Sequence, residues 1–226
     1  MSTIDTSRLT RWYNAQARFY SKRRDSFDGG HVDWVAGRLD GDRDLRILDA
    51  ACGTGLFTIG LARRSPRWHV EGVDLAEGML DVGRRHASER KLANAVFSAG
   101  DVERLSLEDA SVDAVVAAGM LPNLNDPGPA LAEFRRVLRP DAPIFVVEID
   151  REALSTGDRL SFRAMVWGYR VVSTLLPRYK FARGWSLERS TIDPARLETI
   201  LPEAGFRPGT VHRADKHLIV EAFNPS

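Results

Sequence analysis

Cysteine is almost absent from this chain, since Cys52 is the only one in 226 residues. A single cysteine excludes an intramolecular disulfide and a cysteine metal cage, and no metal site is predicted. Long apolar runs are also missing. No segment could span a membrane, and the amino terminus lacks the apolar core of a signal peptide. We therefore expect a cytoplasmic protein without an integral membrane segment.

An excess of charge of one sign is absent as well. The 32 lysines and arginines balance 31 aspartates and glutamates, which leaves a net charge of +1. Binding of nucleic acid normally needs a basic excess gathered on one face, so no nucleic-acid partner is expected. The hydrophobic content of 43% and the length suit one α/β domain over residues 1–226.

The segment over residues 46–62, RILDAACGTGLFTIGLA, is the most informative stretch. A short apolar run ends at Asp49, a turn containing Gly53 and Gly55 follows, and a helical apolar pattern comes next. Strand, glycine turn and helix form the first unit of a doubly wound fold, whose ligand lies beyond the carboxyl ends of the strands. The dinucleotide fingerprint GxGxxG is incomplete, because Thr58 stands where its third glycine would be.

Two carboxylates follow the next two predicted strands. Asp74 ends a strand predicted over 69–74, about 20 residues beyond the glycine turn, where an acid can accept hydrogen bonds from ribose hydroxyls. Asp101 follows a strand predicted over 95–98, where an acid can accept the exocyclic amine of adenine. Met79 can cover the adenine or belong to the core. The two acids predict an adenosine cofactor without selecting which one.

The rest of the chain continues the alternation of strands and helices. We predict a doubly wound, Rossmann-like α/β fold with a seven-stranded, mostly parallel sheet that ends in an antiparallel hairpin. The remaining strands are predicted over 112–118, 144–149, 210–213 and 216–222, and later helices over 129–138 and 194–204. Residues 9–39 are predicted helical with a break at Gly29 and Gly30. A helical flap is expected over 1–44 and a helical substrate cap over 151–190.

From Asp49 the chain fits (D/E)xGxGxG with Ala51 at the first glycine, which resembles motif I of the class I S-adenosylmethionine-dependent methyltransferases. The run GMLPNLNDPGPALAEFRRVLRPDAPIFVVEI is similar to the ubiquinone/menaquinone-biosynthesis C-methyltransferases. This resemblance rests on Asn123, Arg136, Val137, Leu138, Pro140 and Glu148, on the HVDW segment from His31, and on Pro177, Ser190 and Ala204-Gly205-Phe206. The chain departs from the family at Pro122, which replaces an arginine, at Asp141-Ala142, which replace two glycines, and at Trp185, near an expected tyrosine.

The resemblance implies S-adenosyl-L-methionine as the cofactor. The cofactor-binding residues that it implies, together with the two acids, are Tyr20, Asp49, Ala51, Gly53, Thr54, Asp74, Leu75, Met79, Asp101, Val102 and Gly119. Tyr20 is expected near the methionine end of the cofactor, with packing at the domain edge as the alternative.

A phenol or hydroquinone acceptor must lose its hydroxyl proton before a ring carbon becomes nucleophilic. His31 is the candidate catalytic base, because its ordinary pKa near 6.5 allows it to accept a proton at neutral pH. A structural role is the alternative for His31, and Asp150 and Tyr169 are weaker candidates.

The predicted cap is rich in aromatic residues: Phe162, Trp167, Tyr169, Tyr179, Phe181 and Trp185. Such a density suits a flat, apolar small-molecule substrate or the core of the cap itself. The apolar pairs Val171-Val172 and Leu175-Leu176 leave peripheral contact with a membrane open. A homodimer is also left open.

Four other functions stay as alternatives to C-methylation. They are O- or N-methylation of a specialised metabolite, cofactor binding without methyl transfer by a cyclase or regulator, nicotinamide-dependent oxidoreduction, and RNA methylation. The oxidoreductase would need the missing third glycine. A methyltransferase of exocyclic amines in nucleic acids or proteins is disfavoured, because no (N/D)PP(F/Y/W) motif is present.

Overall fold

The computed structural model describes residues 5–24, 30–175, 191 and 193–226, but not the side chains of residues 18–24 and 169–175. Seven strands are described: β1 (Leu45–Ala50), β2 (Trp68–Asp74), β3 (Ala95–Ala99), β4 (Ala114–Ala118), β5 (Pro143–Ile149), β6 (Arg207–Ala214) and β7 (His217–Phe223). They form one sheet in the order β3-β2-β1-β4-β5-β7-β6. Strands β1 to β5 are parallel, and β7 runs antiparallel to both β5 and β6.

The helices of the described residues are α1 (Thr6–Arg24), α2 (His31–Ala36), α3 (Leu56–Arg64), α4 (Glu77–Glu89), α5 (Gly128–Val137), α6 (Thr156–Leu175) and α7 (Pro194–Glu203). With the sheet order, they confirm the predicted doubly wound fold and its antiparallel C-terminal hairpin. Within this part of the chain, no helix has the combination of length and apolar character that crossing a membrane requires.

The core lies on both faces of the sheet, because alternate residues of each strand point to opposite sides. On one face Leu48 and Val146 pack in a cluster with Phe134 of α5 and Leu197 of α7. On the other face, Ile47 and Phe145 pack in a cluster with residues of α2 and α3. Two buried faces explain why the central strands are almost continuously apolar.

The ends of two predicted strands differ from the observed ones by two residues or more. The strand expected over 112–118 begins two residues later, since Val112 makes only an isolated bridge with Leu138. The closing hairpin is longer than expected, because β6 pairs with β7 from Arg207, past an irregularity between Pro208 and Val211. The apolar alternation is weak at this sheet edge, where β6 is mostly exposed.

The predicted flap and cap contain helices. The expected helical region over 9–39 is divided into α1 and α2, and Gly30 at the start of α2 has φ of +80°. The first part of the cap forms α6. Arg151 donates to Thr191, so the two ends of the predicted cap lie together. Three aromatic residues of the cap, Tyr179, Phe181 and Trp185, and the landmarks Pro177 and Ser190 lie outside the described residues.

Candidate functional site

Asp49 lies one residue before the end of β1 and is bonded to the first turn of the next helix. Its side chain is 2% exposed. One carboxylate oxygen, Oδ2, accepts from the backbone N–H of Thr58 at 2.8 Å and from Thr58 Oγ1 at 2.6 Å. A carboxylate that accepts two hydrogen bonds from the first turn of α3 sets the path of the loop between them. Asp49 is therefore a shaping residue of the glycine loop and does not line the cavity described below.

Asp74 links the ends of β1 and β2. Its Oδ2 accepts from the N–H of Gly53 at 2.8 Å, and its Oδ1 accepts from the N–H of Ala76 at 2.8 Å. A carboxylate oxygen can accept more than one hydrogen bond. The two oxygens thus hold the glycine loop and the start of α4 together at the edge of the sheet.

A cavity of about 320 Å³ opens at the carboxyl ends of β1, β2, β3 and β4. Its position agrees with the rule that ligands of open α/β sheets bind beyond these strand ends. The sequence-predicted residues that line it are Ala51, Gly53, Asp74, Leu75, Met79, Asp101, Val102 and Gly119. Thr54 is buried within the loop without lining the cavity, and the side chain of Tyr20 lies outside the described residues.

The cavity wall between β2 and β3 is apolar. Leu75 is 42% exposed, whereas Met79 and Val102 are buried. An exposed leucine at the mouth of a cavity is available to contact a flat ring. The neighbouring Asp101 accepts from the N–H of Glu103 at 3.0 Å, which fixes the turn after β3. Apolar walls beside a fixed carboxylate can bind a heteroaromatic ring and its amino group.

Helix α1 supplies a further wall, through Thr6, Leu9, Thr10 and Tyr13. These residues were not predicted as site residues, although a flap was. The helix packs on α4, where Ala17 and Tyr13 meet Ala76, Met79 and Val82 in one cluster. Asn14 Oδ1 also accepts from the N–H of Gly78 at 2.7 Å. The amino-terminal flap thus closes the cavity from the side of α4.

Replacing Asn14 with alanine should loosen this wall. The loss of one hydrogen bond, about 0.5–1.5 kcal/mol, predicts adenosyl-ligand binding that is about threefold to tenfold weaker. Calorimetric titration with S-adenosylhomocysteine measures the change. Asn14→Asp is the matched control, since a carboxylate also accepts from Gly78 at the amino terminus of α4 and should keep the affinity. Equal binding by wild type and Asn14→Ala would contradict the assignment.

The segment after β4 forms the floor of the cavity. Gly119, with φ of +65°, donates its N–H to the carbonyl of Val147, and a 3-10 turn follows at Leu121–Asn123. Asn123 Nδ2 donates to the carbonyl of Gly119 at 3.0 Å. The residues of this segment that line the cavity are Gly119, Met120, Asn123, Leu124, Asn125 and Asp126. Asn123, a landmark of the family resemblance, is thereby placed in the site.

Glu148 lies beneath this floor on β5. It is 1% exposed, and its Oε1 accepts from the N–H of Leu121 at 2.9 Å. Burial raises the pKa of Glu148 to about 8, against the opposing effect of hydrogen bonds from the N–H groups of Leu121 and Met120. In the sequence, Glu148 is only a landmark of the family resemblance. No local pattern predicts that the segment after β4 buries its carboxyl group.

His31 lies away from the cavity. Its side chain is 3% exposed on α2, and its ring meets His217 of β7 edge-on, with ring centroids 4.4 Å apart. Trp34, one turn later, stacks on His212 of β6. These contacts dock α2 on the hairpin. His31 is not among the residues lining the cavity.

Asp150, the second candidate base, is also tied into the fold. It is 2% exposed, and its Oδ2 accepts from Arg213 at 2.9 Å. Its Oδ1 accepts from the backbone N–H groups of Glu152 and Ala153. These bonds give Asp150 a role in the turn that leads into the cap. The side chain of Tyr169, the third candidate, lies outside the described residues.

The described side chains that line the cavity carry negative charge only. Asp74, Asp101, Glu103 and Asp126 contribute four carboxylates, and no lysine, arginine or histidine is among the lining residues. Nearby carboxylates favour a cationic ligand and disfavour an anionic one. The cavity therefore suits a sulfonium cofactor better than a dinucleotide with its pyrophosphate.

Comparison with known proteins gives concordant results. A family model described as a methyltransferase domain matches residues 47–141, which include the glycine loop and both cavity acids after β2 and β3. The chain is 34% identical over 172 residues to the demethylmenaquinone methyltransferase of Deinococcus radiodurans. The alignment covers 72% of this chain and 68% of that protein.

Two further proteins widen the comparison. The chain is 26% identical over 197 residues to the ubiquinone biosynthesis O-methyltransferase of Aeromonas salmonicida, with 87% of this chain and 76% of that protein covered. Among solved structures, a S-adenosylmethionine-dependent methyltransferase from Aquifex aeolicus superposes with a TM-score of 0.65 at 18% identity. That superposition covers 85% of this chain and 89% of the other. At this identity, the similarity concerns the fold.

Proposed function

The chain belongs to the class I S-adenosylmethionine-dependent methyltransferases, and from this premise we propose that it methylates a carbon atom of a small aromatic or quinone-like acceptor. The observation that carries the choice of acceptor is the 34% identity to a demethylmenaquinone methyltransferase over most of both chains. The acidic cavity supports the cofactor half of the proposal.

The residues present fit an adenosyl sulfonium cofactor. Asp74 would accept hydrogen bonds from the ribose hydroxyls and Asp101 from the adenine amine, while Leu75, Met79 and Val102 would cover the adenine ring. The cofactor supplies an electrophilic methyl group. The protein's task is then to hold the acceptor atom in line and to exclude water, and such positioning can lower a barrier by roughly 7–11 kcal/mol.

His31 remains our proposed base for the acceptor hydroxyl. Because its ring packs on His217 outside the lining of the described cavity, this role needs an acceptor that reaches past the cavity toward α2. Asn123 is better placed to contact an acceptor. Its amide nitrogen is already bonded to Gly119, so its carbonyl oxygen is the group left to accept a hydrogen bond from a hydroxyl.

O-methylation is a second candidate function. It is favoured by the similarity to a ubiquinone biosynthesis O-methyltransferase, which extends over 87% of this chain. Both reactions begin with loss of a hydroxyl proton and differ in whether oxygen or ring carbon meets the methyl group. The site residues named above serve either outcome.

Methyl transfer to chosen acceptors tests the proposal. The full chain is incubated with labelled S-adenosylmethionine and either 1,4-naphthalenediol or a catechol, with Asp74→Ala as the control protein. With the naphthalenediol we expect S-adenosylhomocysteine to form together with a methylated product. NMR should show that the new methyl group of this product is bonded to carbon. If the product is a methyl ether, the reaction is O-methylation, and the proposal of C-methylation is wrong. Cofactor binding without transfer to any phenolic acceptor would overturn the aromatic assignment.

A further inference from the structure

The carboxyl group of Glu148 is buried at a place where the fold needs only a hydrogen-bond acceptor. Its Oε1 accepts from the N–H of Leu121 at 2.9 Å, and the N–H of Met120 is also bonded to this carboxyl. These two residues begin the cavity floor, and Met120 itself lines the cavity. Glu148 does not line it. Any effect of Glu148 on a ligand therefore passes through the floor segment.

The floor depends on few other bonds near this point. Gly119 donates to Val147, which precedes Glu148 on β5, and Asn123 donates back to Gly119. The turn between them is thus fixed to β5 at two neighbouring residues, one through backbone and one through the Glu148 side chain. Removing the side-chain bond leaves a buried N–H without that acceptor, which is costly in a site closed to water.

The charged groups on the neighbouring elements have partners of their own. Asp150, which follows β5, is bonded to Arg213 of β6, which also faces Glu198 of α7. Lys216, in the turn before β7, is paired with Asp158 of α6. Asp126, at the far end of the floor, accepts from the N–H of Gly128. None of these groups is a cause of the raised pKa of Glu148, which comes from burial.

We propose that Glu148 is a positioning residue that in its neutral form holds residues 120–123 against the cavity, so that ligand binding weakens when the carboxyl ionises. The proposal rests on the cavity as the cofactor site and not on the identity of the acceptor. An ionised carboxylate regains its hydration only if the floor lifts away, so the charged form favours an open floor.

The direction of the pH effect follows from linkage. A buried carboxyl with a raised pKa binds its proton more tightly when covered than when hydrated. The closed floor is therefore fully favoured at low pH, and it loses stability as pH rises from the ordinary range of a glutamate through about 8. Since a ligand binds only to the closed fraction, its affinity falls in the same direction, by at most about tenfold per pH unit.

Calorimetric titration with S-adenosylhomocysteine from pH 5 to 9 tests this, on wild type, Glu148→Gln and Glu148→Leu. Glutamine keeps the acceptor oxygen and cannot ionise. We expect Glu148→Gln to match wild type near pH 5, and wild type to lose about threefold or more in affinity by pH 8 relative to Glu148→Gln. Glu148→Leu should bind about tenfold more weakly at every pH.

Glu221→Gln is the matched control, because Glu221 is a buried acid of β7 that is bonded to Arg38 and Thr210 away from the cavity. Its pH profile should follow wild type. Amide hydrogen exchange over residues 120–125 gives a second readout, which should rise between about pH 5 and pH 8 in wild type relative to Glu148→Gln. Identical pH profiles of wild type and Glu148→Gln would overturn the proposal, even if Glu148→Leu did not fold.

Discussion

Asp74→Ala should weaken S-adenosylhomocysteine binding by about 100-fold, because hydrogen bonds to a charged group contribute about 1.5–3 kcal/mol each. The substitution removes the acceptor for the N–H of Gly53 and for the N–H of Ala76. It also removes the group that we propose to accept the ribose hydroxyls. Loss of the loop's geometry and loss of a ligand contact act in the same direction.

Asp74→Asn separates the two contributions. An amide presents one accepting oxygen and one donating nitrogen, so it can serve one of the two backbone N–H groups and opposes the other. We expect the affinity of Asp74→Asn for S-adenosylhomocysteine to lie between the affinities of wild type and Asp74→Ala. Asp81→Ala is the control, since this acid lies on the exposed side of α4 in a pair with Arg84. Undiminished binding by Asp74→Ala in calorimetry would remove Asp74 from the site.

The predicted site residues that line the cavity are those with a local sequence signal. The strand, the glycine turn and the acids at the ends of β2 and β3 each occupy a short stretch, and parallel strands bring their carboxyl ends to one edge. Asp74 and Asp101 therefore had to meet once the fold class was known. Asp49 has a different task, since the bonds to Thr58 make it a brace of the loop.

The walls contributed by distant segments could not be predicted. A helical pattern indicates that α1 forms, but its place on α4 depends on the contact between Asn14 and Gly78, which are 64 residues apart. Tyr13 lines the cavity without having been predicted, and the role of Tyr20, whose side chain lies outside the described residues, stays a prediction. Glu148 is a similar case. Its burial depends on strand order and on the fold of the segment after β4, and neither can be obtained from its own sequence context.

His31 illustrates the limit of a motif. The HVDW segment matches the family at two positions, and a histidine suggests a base. The docking partner His217 is 186 residues away and comes beside α2 only because β7 inserts between β5 and β6. No local pattern contains that arrangement, and the catalytic role of His31 stays a prediction.

Gly72 lies on β2 beside the glycine loop, and Gly72→Ala should displace that loop. A Cβ at this position would lie 2.5 Å from Thr58 Oγ1 and 2.8 Å from Cys52 Sγ. Real Cβ atoms do not approach other atoms so closely, so α3 and the glycine loop must both shift away from β2. Thr58 is the residue that bonds to Asp49, and Cys52 lies within the loop, so the displacement reaches both ends of the glycine loop.

We expect Gly72→Ala to lower the free energy of unfolding by about 2–3 kcal/mol, near the upper end of the usual cost of overpacking. S-adenosylhomocysteine binding should weaken by about tenfold, as one lost hydrogen bond to Asp49 would predict. Chemical denaturation and calorimetry measure the two effects. Gly41→Ala is the matched control, because a Cβ there meets no atom within 4 Å. A stable, tightly binding Gly72→Ala would mean that the strand and the loop are less closely packed than this contact implies.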